Sequence, residues 1–376
     1  MNRNYGLDVL RATAILLVLA SHTIFFVIQA VPQSESIKLI SYFCGFWGVE
    51  LFFVLSGFLI GKIIRNLAVP PSSHWLIFFW IKRWFRTIPC YLLFLILNIF
   101  WYFYLNGILP QSLFSYLIFA QNLAWEHPVF FPEAWSLSIE EYFYLLFPIM
   151  IWMLIKARLK PETAYLAGGA LLLLFSTLLR LTSAALEPSL LWDAGIRKVV
   201  IFRLDALIYG IYLSCFIDQI RIRNWQNQLL IIGLIALSIS MFAYFNLDQD
   251  HSYFLKTLQF SLTSAGFTLV VPYMLDLRMT ERSILGWFFR KTALWSYSMY
   301  LCNFLIYNMI QTLIFSSYFA GQPGAGALPC IVLMLVLTYL VSGLVYATYE
   351  FPMMNLRESA IAQLKPFITI PRETTL

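Results

Sequence analysis

Charge is scarce in this sequence. Asp, Glu, Lys and Arg make up 12% of its 376 residues, against about 25% in soluble domains, and 60% of the chain is hydrophobic. That shortage leaves no room for a sizeable soluble domain. Cysteine is sparse too. Cys44, Cys90, Cys215, Cys302 and Cys330 are scattered through apolar segments, with no CxxC and no metal-ligand spacing. Neither a disulfide framework nor a metal site follows from such a pattern. No low-complexity linker divides the chain, and no internal repeat is evident. The net charge of +6 does not argue for nucleic acid, because the basic residues sit in short segments flanking apolar runs.

Long apolar runs are abundant. A run of about 20 apolar residues spans a bilayer. Ten qualify: 7–30, 39–61, 76–105, 136–155, 163–184, 199–217, 228–246, 254–275, 292–316 and 328–349. The expected fold is all-α and polytopic, with about ten transmembrane helices in contact with membrane lipid. The 34 Phe, 21 Tyr and 12 Trp suit lipid contact and interfacial belts. The stretch 112–125, SLFSYLIFAQNLAW, is short and reads as re-entrant or interfacial. The first run carries charge, and IQA is a poor cleavage site, so a retained helix is expected rather than a signal peptide. Cytoplasmic termini satisfy the preference of Lys and Arg for the inner side. Of the 25 basic residues, only Lys38, Arg180, Arg197, Lys198, Arg203 and Lys256 then face outward.

Ionisable residues inside the runs therefore stand out, since a charge at the centre of a membrane helix costs roughly 2.5–3.5 kcal/mol. LDVLRATAILLVLASHT holds Asp8, Arg11 and His22. Eleven helical steps bring two residues to within ~20° of one face and separate them by ~16 Å. Counting along the helices places Arg11 near the inner surface, and His22, Glu50, Glu140 and Glu141 roughly 18–24 Å in, on three helices. A shared interior site is the economical arrangement. Lys82, Arg83 and Arg86 form a cationic cluster nearer the inner surface, and guanidinium forks suit phosphate oxygens. The expected pattern is layered, with cations at the inner mouth and an acid/base group at mid-membrane. His22 is a base near neutral pH, and a nearby carboxylate would orient it.

Other polar marks have plainer readings. Arg203 and Asp205 are expected to form a structural ion pair. Arg180 pairs with Asp193 or Asp205, or reaches outward. His74, His127 and His251 are expected at the surface. Ser56 and Gly57 allow close helix packing. The aromatics of 106–134 (Trp125, Phe130 and Phe131 among them) would cover a sugar or anchor the membrane interface.

Several of these stretches together resemble the acyltransferase 3 family of integral-membrane O-acyltransferases. The resemblance rests on LDVLRATAILLVLASH with its R-x10-H spacing, GVELFFVLSGFLIGK, the RxxR of KRWFR, AWSLSIEEYFYLLFP, FRLDALIYG and SYSMYLCN, in the expected order. It implies one transmembrane acyltransferase domain over 1–352, a short cytoplasmic tail over 353–376 and a bacterial inner membrane. It implies no permanently bound cofactor. The donor substrate would be cytoplasmic acyl-CoA, commonly acetyl-CoA, and the acceptor a hydroxyl of a carbohydrate or lipid-linked glycan. His22 carries over as the catalytic histidine with Arg11 as its motif partner. Arg83 and Arg86 carry over as the pair that binds the CoA end. Glu140 matches the motif glutamate. Glu141 fits as well, and Glu50 is a further candidate to hold the imidazole. The family's usual closing histidine is Asn303 here. No fused SGNH hydrolase-like domain is expected, so a two-step relay would need a separate partner enzyme. A proton-coupled transporter of a lipid-linked glycan or organic anion would use the same residue types, but it would favour an inverted repeat that is not seen.

Overall fold

The computed structural model describes residues 4–68, 75–278 and 283–364. Arg3, Arg282, Lys365 and Arg372, which entered the orientation count, and His74 lie outside them. The regular structure of the described residues is entirely helical. The helices are α1 (Tyr5–Ala30), α2 (Glu35–Ala68), α3 (Trp75–Asn106), the short α4 (Leu113–Leu117), α5 (Ala134–Lys156), α6 (Pro161–Leu186) and α7 (Ile208–Ile222). They continue with α8 (Gln226–Asn246), α9 (Tyr253–Leu275), α10 (Ile284–Ile310), the single turn α11 (Ser316–Tyr318), α12 (Pro323–Val345) and α13 (Phe351–Leu364). Among the described residues, nine helices are long and apolar enough to cross a membrane. The protein is an all-α, polytopic integral membrane protein.

α1 lies at the middle of the bundle, packed against α2, α9, α10 and α12. Its start is fixed by Asn4, whose side chain accepts from the Leu7 amide at 3.1 Å, a standard way to satisfy an orphan donor at a helix N-terminus. Four buried residues (Ile15, Val18, Leu19 and Phe26) anchor it in the main core. The stretch 112–125 is not a span. It folds into α4 and turns, and its buried Gln121 and Asn122 tie it to α5 through Ser138 (2.6 Å) and the Trp135 carbonyl (3.1 Å).

The run 199–217 departs from expectation. Its helix begins only at Ile208, and the chain before it forms a π-turn at Trp192–Arg197 and a 3-10 turn at Val200–Phe202. Irregular backbone survives at membrane depth only when the protein itself satisfies it. Here the Val200 and Ile201 amides donate to the Asn122 and Leu123 carbonyls at 3.0 and 3.2 Å, and Val199, Val200, Leu204, Ala206 and Leu207 are buried. α7 then runs parallel to α2 at very close range. A Cβ on Gly57 would lie 2.0 Å from the Leu207 carbonyl oxygen, and one on Gly210 would lie 2.0 Å from that of Val54. Only glycine fits both positions, and small residues at a membrane helix interface serve this purpose.

Candidate active site

His22 sits on the central helix, half-buried, near the middle of its apolar length. Its ring is flanked by Phe25 (centroids 5.8 Å apart) and meets Phe304 edge-on at 5.0 Å. Nδ1 hydrogen-bonds Oδ1 of Asn303 on α10. Asn303 is fully buried, and its Nδ2 donates to the Met299 and Tyr300 carbonyls at 2.9 and 2.7 Å.

The expectation that a carboxylate holds the imidazole is corrected. Glu50 accepts from Arg203 at 2.5 Å and from Ser264 at 2.8 Å, in a wholly buried cluster. Glu140 accepts from Arg83 at 3.1 Å and from the Tyr144 hydroxyl at 2.5 Å. Glu141 accepts from Thr87 at 2.8 Å. Each carboxylate has a closer claimant than His22. Two of the claimants are arginines, and a charged donor outbids a neutral ring in an apolar interior. The expected Arg203–Asp205 pair is corrected likewise. Arg203 goes to Glu50, and Asp205 takes a two-pronged bond from Arg180, Nη1 to Oδ1 at 2.8 Å and Nη2 to Oδ2 at 2.7 Å.

The two expected layers also merge. Arg83 reaches Glu140, so cation and carboxylate share one level. Tyr144 joins them. Its hydroxyl meets Ser56 at 2.6 Å and is hydrogen-bonded by Arg83, whose guanidinium also lies 4.2 Å from the Tyr144 ring centre. Ser56 is thus a polar partner rather than a spacer. Arg86, one turn further along α3, is half-buried, and no described side chain hydrogen-bonds it. The charge of Glu350 acts on it from the π-turn Tyr346–Glu350. Such turns recur at functional sites. Glu350 is buried and accepts from Ser298 at 2.5 Å. α3 meets α10 at this level, where the Tyr297 hydroxyl donates to the Thr87 carbonyl at 2.8 Å. Asn303 lies six residues along α10 from Tyr297, which is ~9 Å at the helical rise. α10 therefore touches both α3, at the residue after Arg86, and His22 on α1. Arg11 is half-buried near the start of α1.

Four residues of this neighbourhood escaped the sequence reading in their present roles. Tyr144 had a visible signal, four positions after Glu140 on one helix face. Glu350 stands out only as a lone carboxylate at the end of an apolar run. Asn303 shows in the sequence only as a departure from a motif, and its bond to His22 shows only in the fold. Glu133, just before α5, is buried, and its backbone carbonyl accepts from the Tyr300 hydroxyl at 3.2 Å. The outer aromatics divide. Phe131 packs in the core against Tyr91 with centroids 5.6 Å apart, while Trp125 is exposed. His251 is exposed, as expected, and His127 is half-buried.

Two proteins with sequence similarity carry related names. The peptidoglycan O-acetyltransferase OatA of Listeria monocytogenes is 31% identical over 172 residues, covering 42% of this chain and 25% of that protein. The O-acetyltransferase OatA of Staphylococcus aureus is 27% identical over 217 residues, covering 53% of this chain and 34% of that protein. The matched region thus spans a quarter to a third of those relatives. No solved structure matches. A family model described as an acyltransferase domain matches residues 4–347, taking in His22, Arg83, Arg86, Glu140 and Asn303, and the chain belongs to that family, acyltransferase 3.

Proposed function

We propose that this protein is a membrane O-acyltransferase that moves an acyl group, acetyl in the first instance, from cytoplasmic acyl-CoA to a hydroxyl of cell-wall carbohydrate. The names of the two relatives support the acetyl group and the carbohydrate acceptor. The observation that carries the reading is the spacing of two unlike groups, an imidazole held at mid-helix on α1 and an uncommitted guanidinium on α3. His22 bonds Asn303 on α10, and the carbonyl of Thr87, the neighbour of Arg86, accepts from Tyr297 about two turns away on the same helix. With the irregular segment and α7 counted as a tenth crossing beside the nine long helices, both termini lie in the cytoplasm in this reading, so Arg86 faces the side from which acyl-CoA arrives.

Arg86 takes a phosphate of the donor, because its donors are not consumed by the protein. Arg83 is already engaged by Glu140 and completes the cationic surface. The thioester then points along α10 toward His22. The acceptor oxygen bonds to the thioester carbonyl carbon, the C–S bond breaks, and the hydroxyl proton passes through His22 to the departing thiolate. A two-stage route, with the acyl group first on the imidazole, gives the same products. Glu140 and Glu141 set the α3–α5 contact rather than touching the ring.

Mass spectrometry of cell-envelope glycans from cells with wild-type protein and with His22→Ala, expressed equally, tests the reading. An acyl mass increment present only with the wild type supports it. Equal masses, together with a defect in export of an unmodified glycan, would replace it with transport.

A further inference from the structure

We propose that Asn303 is a positioning residue that holds His22 in the Nδ1–H tautomer, so that Nε2 is the nitrogen that reacts. The inference rests on the acyl-transfer reading and assigns the working atom of that same site.

Donors and acceptors around the ring decide its tautomer. A neutral imidazole carries one N–H and one bare nitrogen, and which is which depends on its partner. An asparagine amide has two faces, so by itself it could present either an oxygen or an NH2 group. At Asn303 that freedom is removed. Nδ2 lies 2.9 Å from the Met299 carbonyl and 2.7 Å from the Tyr300 carbonyl, and carbonyls only accept. Both belong to the preceding turn of α10, so the helix itself fixes them. Turning the amide over would set Oδ1 against two carbonyl oxygens and lose both bonds, in a place with no exposure to water. Oδ1 must therefore face His22. Oδ1 accepts and cannot donate, so Nδ1 must carry the hydrogen.

The ring cannot evade this partner by swinging aside, because Phe25 and Phe304 flank it. The charges that act on it are Lys198 and Arg197, both paired with Asp193 at 2.6 Å. Glu133 sits beside Tyr300, the residue whose carbonyl holds the amide. In serine proteases, exchanging the orienting Asp for Asn lowers kcat about 10⁴-fold because the amide leaves the histidine in the wrong tautomer. Here the α10 carbonyls occupy the NH2 group, and a neutral amide does the orienting that a carboxylate does there. Nε2 then accepts the hydroxyl proton, or bonds to the acyl carbon in the two-stage route, and the proton ends on the CoA sulfur.

The test uses full-length protein in lipid vesicles with ¹⁵N-labelled histidine. Solid-state NMR distinguishes the protonated from the bare ring nitrogen, and the spectrum of His22→Gln identifies the His22 signals. The wild type is expected to show Nδ1–H and bare Nε2. Asn303→Leu removes the acceptor. It is expected to lose that tautomer and about 100-fold in the acyl-CoA-dependent rate, with little change in KM for the donor. Asn303→Asp keeps an acceptor. Its second oxygen replaces the NH2 group against the Met299 and Tyr300 carbonyls, so its yield is expected to fall, but each folded molecule is expected to keep the tautomer and stay within about tenfold of wild-type rate, with the acidic limb of the pH–rate profile moved up by about one unit. A merely structural role would lower the yield of both variants and move neither the tautomer nor the acidic limb. Hydrogen on Nε2 in an active wild-type enzyme overturns this inference alone. Nδ1–H in a protein that makes no acylated product overturns the role of Nε2 together with the acyl-transfer reading.

Discussion

The arginine–carboxylate pairs Arg180–Asp205, Arg203–Glu50 and Arg83–Glu140 within the apolar bundle are not alike. Arg180–Asp205 and Arg203–Glu50 are sealed, with side chains at most 1% exposed, whereas Arg83 and Glu140 are each 16% exposed. The sealed arginines hold the irregular segment after α6. Arg180 also donates to the Thr257 carbonyl on α9 at 3.1 Å and to the Phe202 carbonyl, while Arg203 binds that segment to Glu50 on α2. The open pair shares a hydroxyl network with Tyr144 and Ser56 and borders Arg86. Depth in the membrane therefore does not mark the chemistry. What separates the open pair is access, since Arg83 and Glu140 keep 16% exposure while the Arg203 donors that lack partners, Nε and Nη1, are sealed.

The largest effect should fall on the least structural residue. His22→Ala is expected to lower acyl transfer by about 10²- to 10⁴-fold, the usual contribution of a general base, while the protein keeps its thermal midpoint in detergent. Transfer at the wild-type rate would remove His22 from the mechanism. The sealed pair should behave in the opposite way. Glu50→Ala leaves Arg203 buried and unpaired, which costs about 3–5 kcal/mol of stability, seen as lost membrane-embedded protein and an earlier melt. Activity per folded molecule should survive. The double change Glu50→Leu with Arg203→Met should restore much of the stability, because a buried ion pair can be replaced by apolar groups of similar volume. Full activity loss at normal stability in Glu50→Ala would place that pair in the chemistry after all.

A finer contrast runs between the neighbours on α3. Arg86→Lys keeps the charge but loses the planar fork. It is expected to raise KM for the acyl donor about tenfold with little change in kcat. Arg83→Lys is expected to act more on stability than on KM, because Arg83 already spends its bonds on Glu140 and Tyr144. Donor titrations of the two variants in vesicles decide this. Equal KM changes would show that both arginines hold the donor.

The helical membrane architecture was legible because hydropathy over 20 residues is a strong signal, strong enough to hold through Pro89, Pro148, Pro272 and Pro329 inside the helices. The 199–217 region was not. Its apolar composition resembles a span, and only contacts with Asn122 and Leu123, some 80 residues away, show why its backbone can leave the helix. Depth counting along each helix placed His22, Glu50, Glu140 and Glu141 at comparable levels, but it carries no azimuth between helices. It could not say which carboxylate faces which arginine, and so it proposed one site where the structure has three clusters. Asn303 shows the same limit from another side. A side chain with two opposite faces gains its meaning only from the carbonyls beneath it.

Ser56 offers the smallest contrast. It sits in LSGFL, a stretch where a serine invites assignment as a nucleophile. Its Oγ shares a 2.6 Å hydrogen bond with the Tyr144 hydroxyl, and no histidine is bonded to it. A hydroxyl without a base to take its proton is a weak nucleophile. Ser56→Ala should therefore cost about 1–3 kcal/mol, the net contribution of its two hydrogen bonds, with Tyr144 and from Arg83, and leave transfer within about fivefold of wild type. The check is a melt and a rate measured on the same preparation. A collapse of the rate at unchanged stability would move the reacting group from His22 on α1 to the Tyr144 network, and would make the open arginine pair the catalytic centre rather than the anchor of the donor.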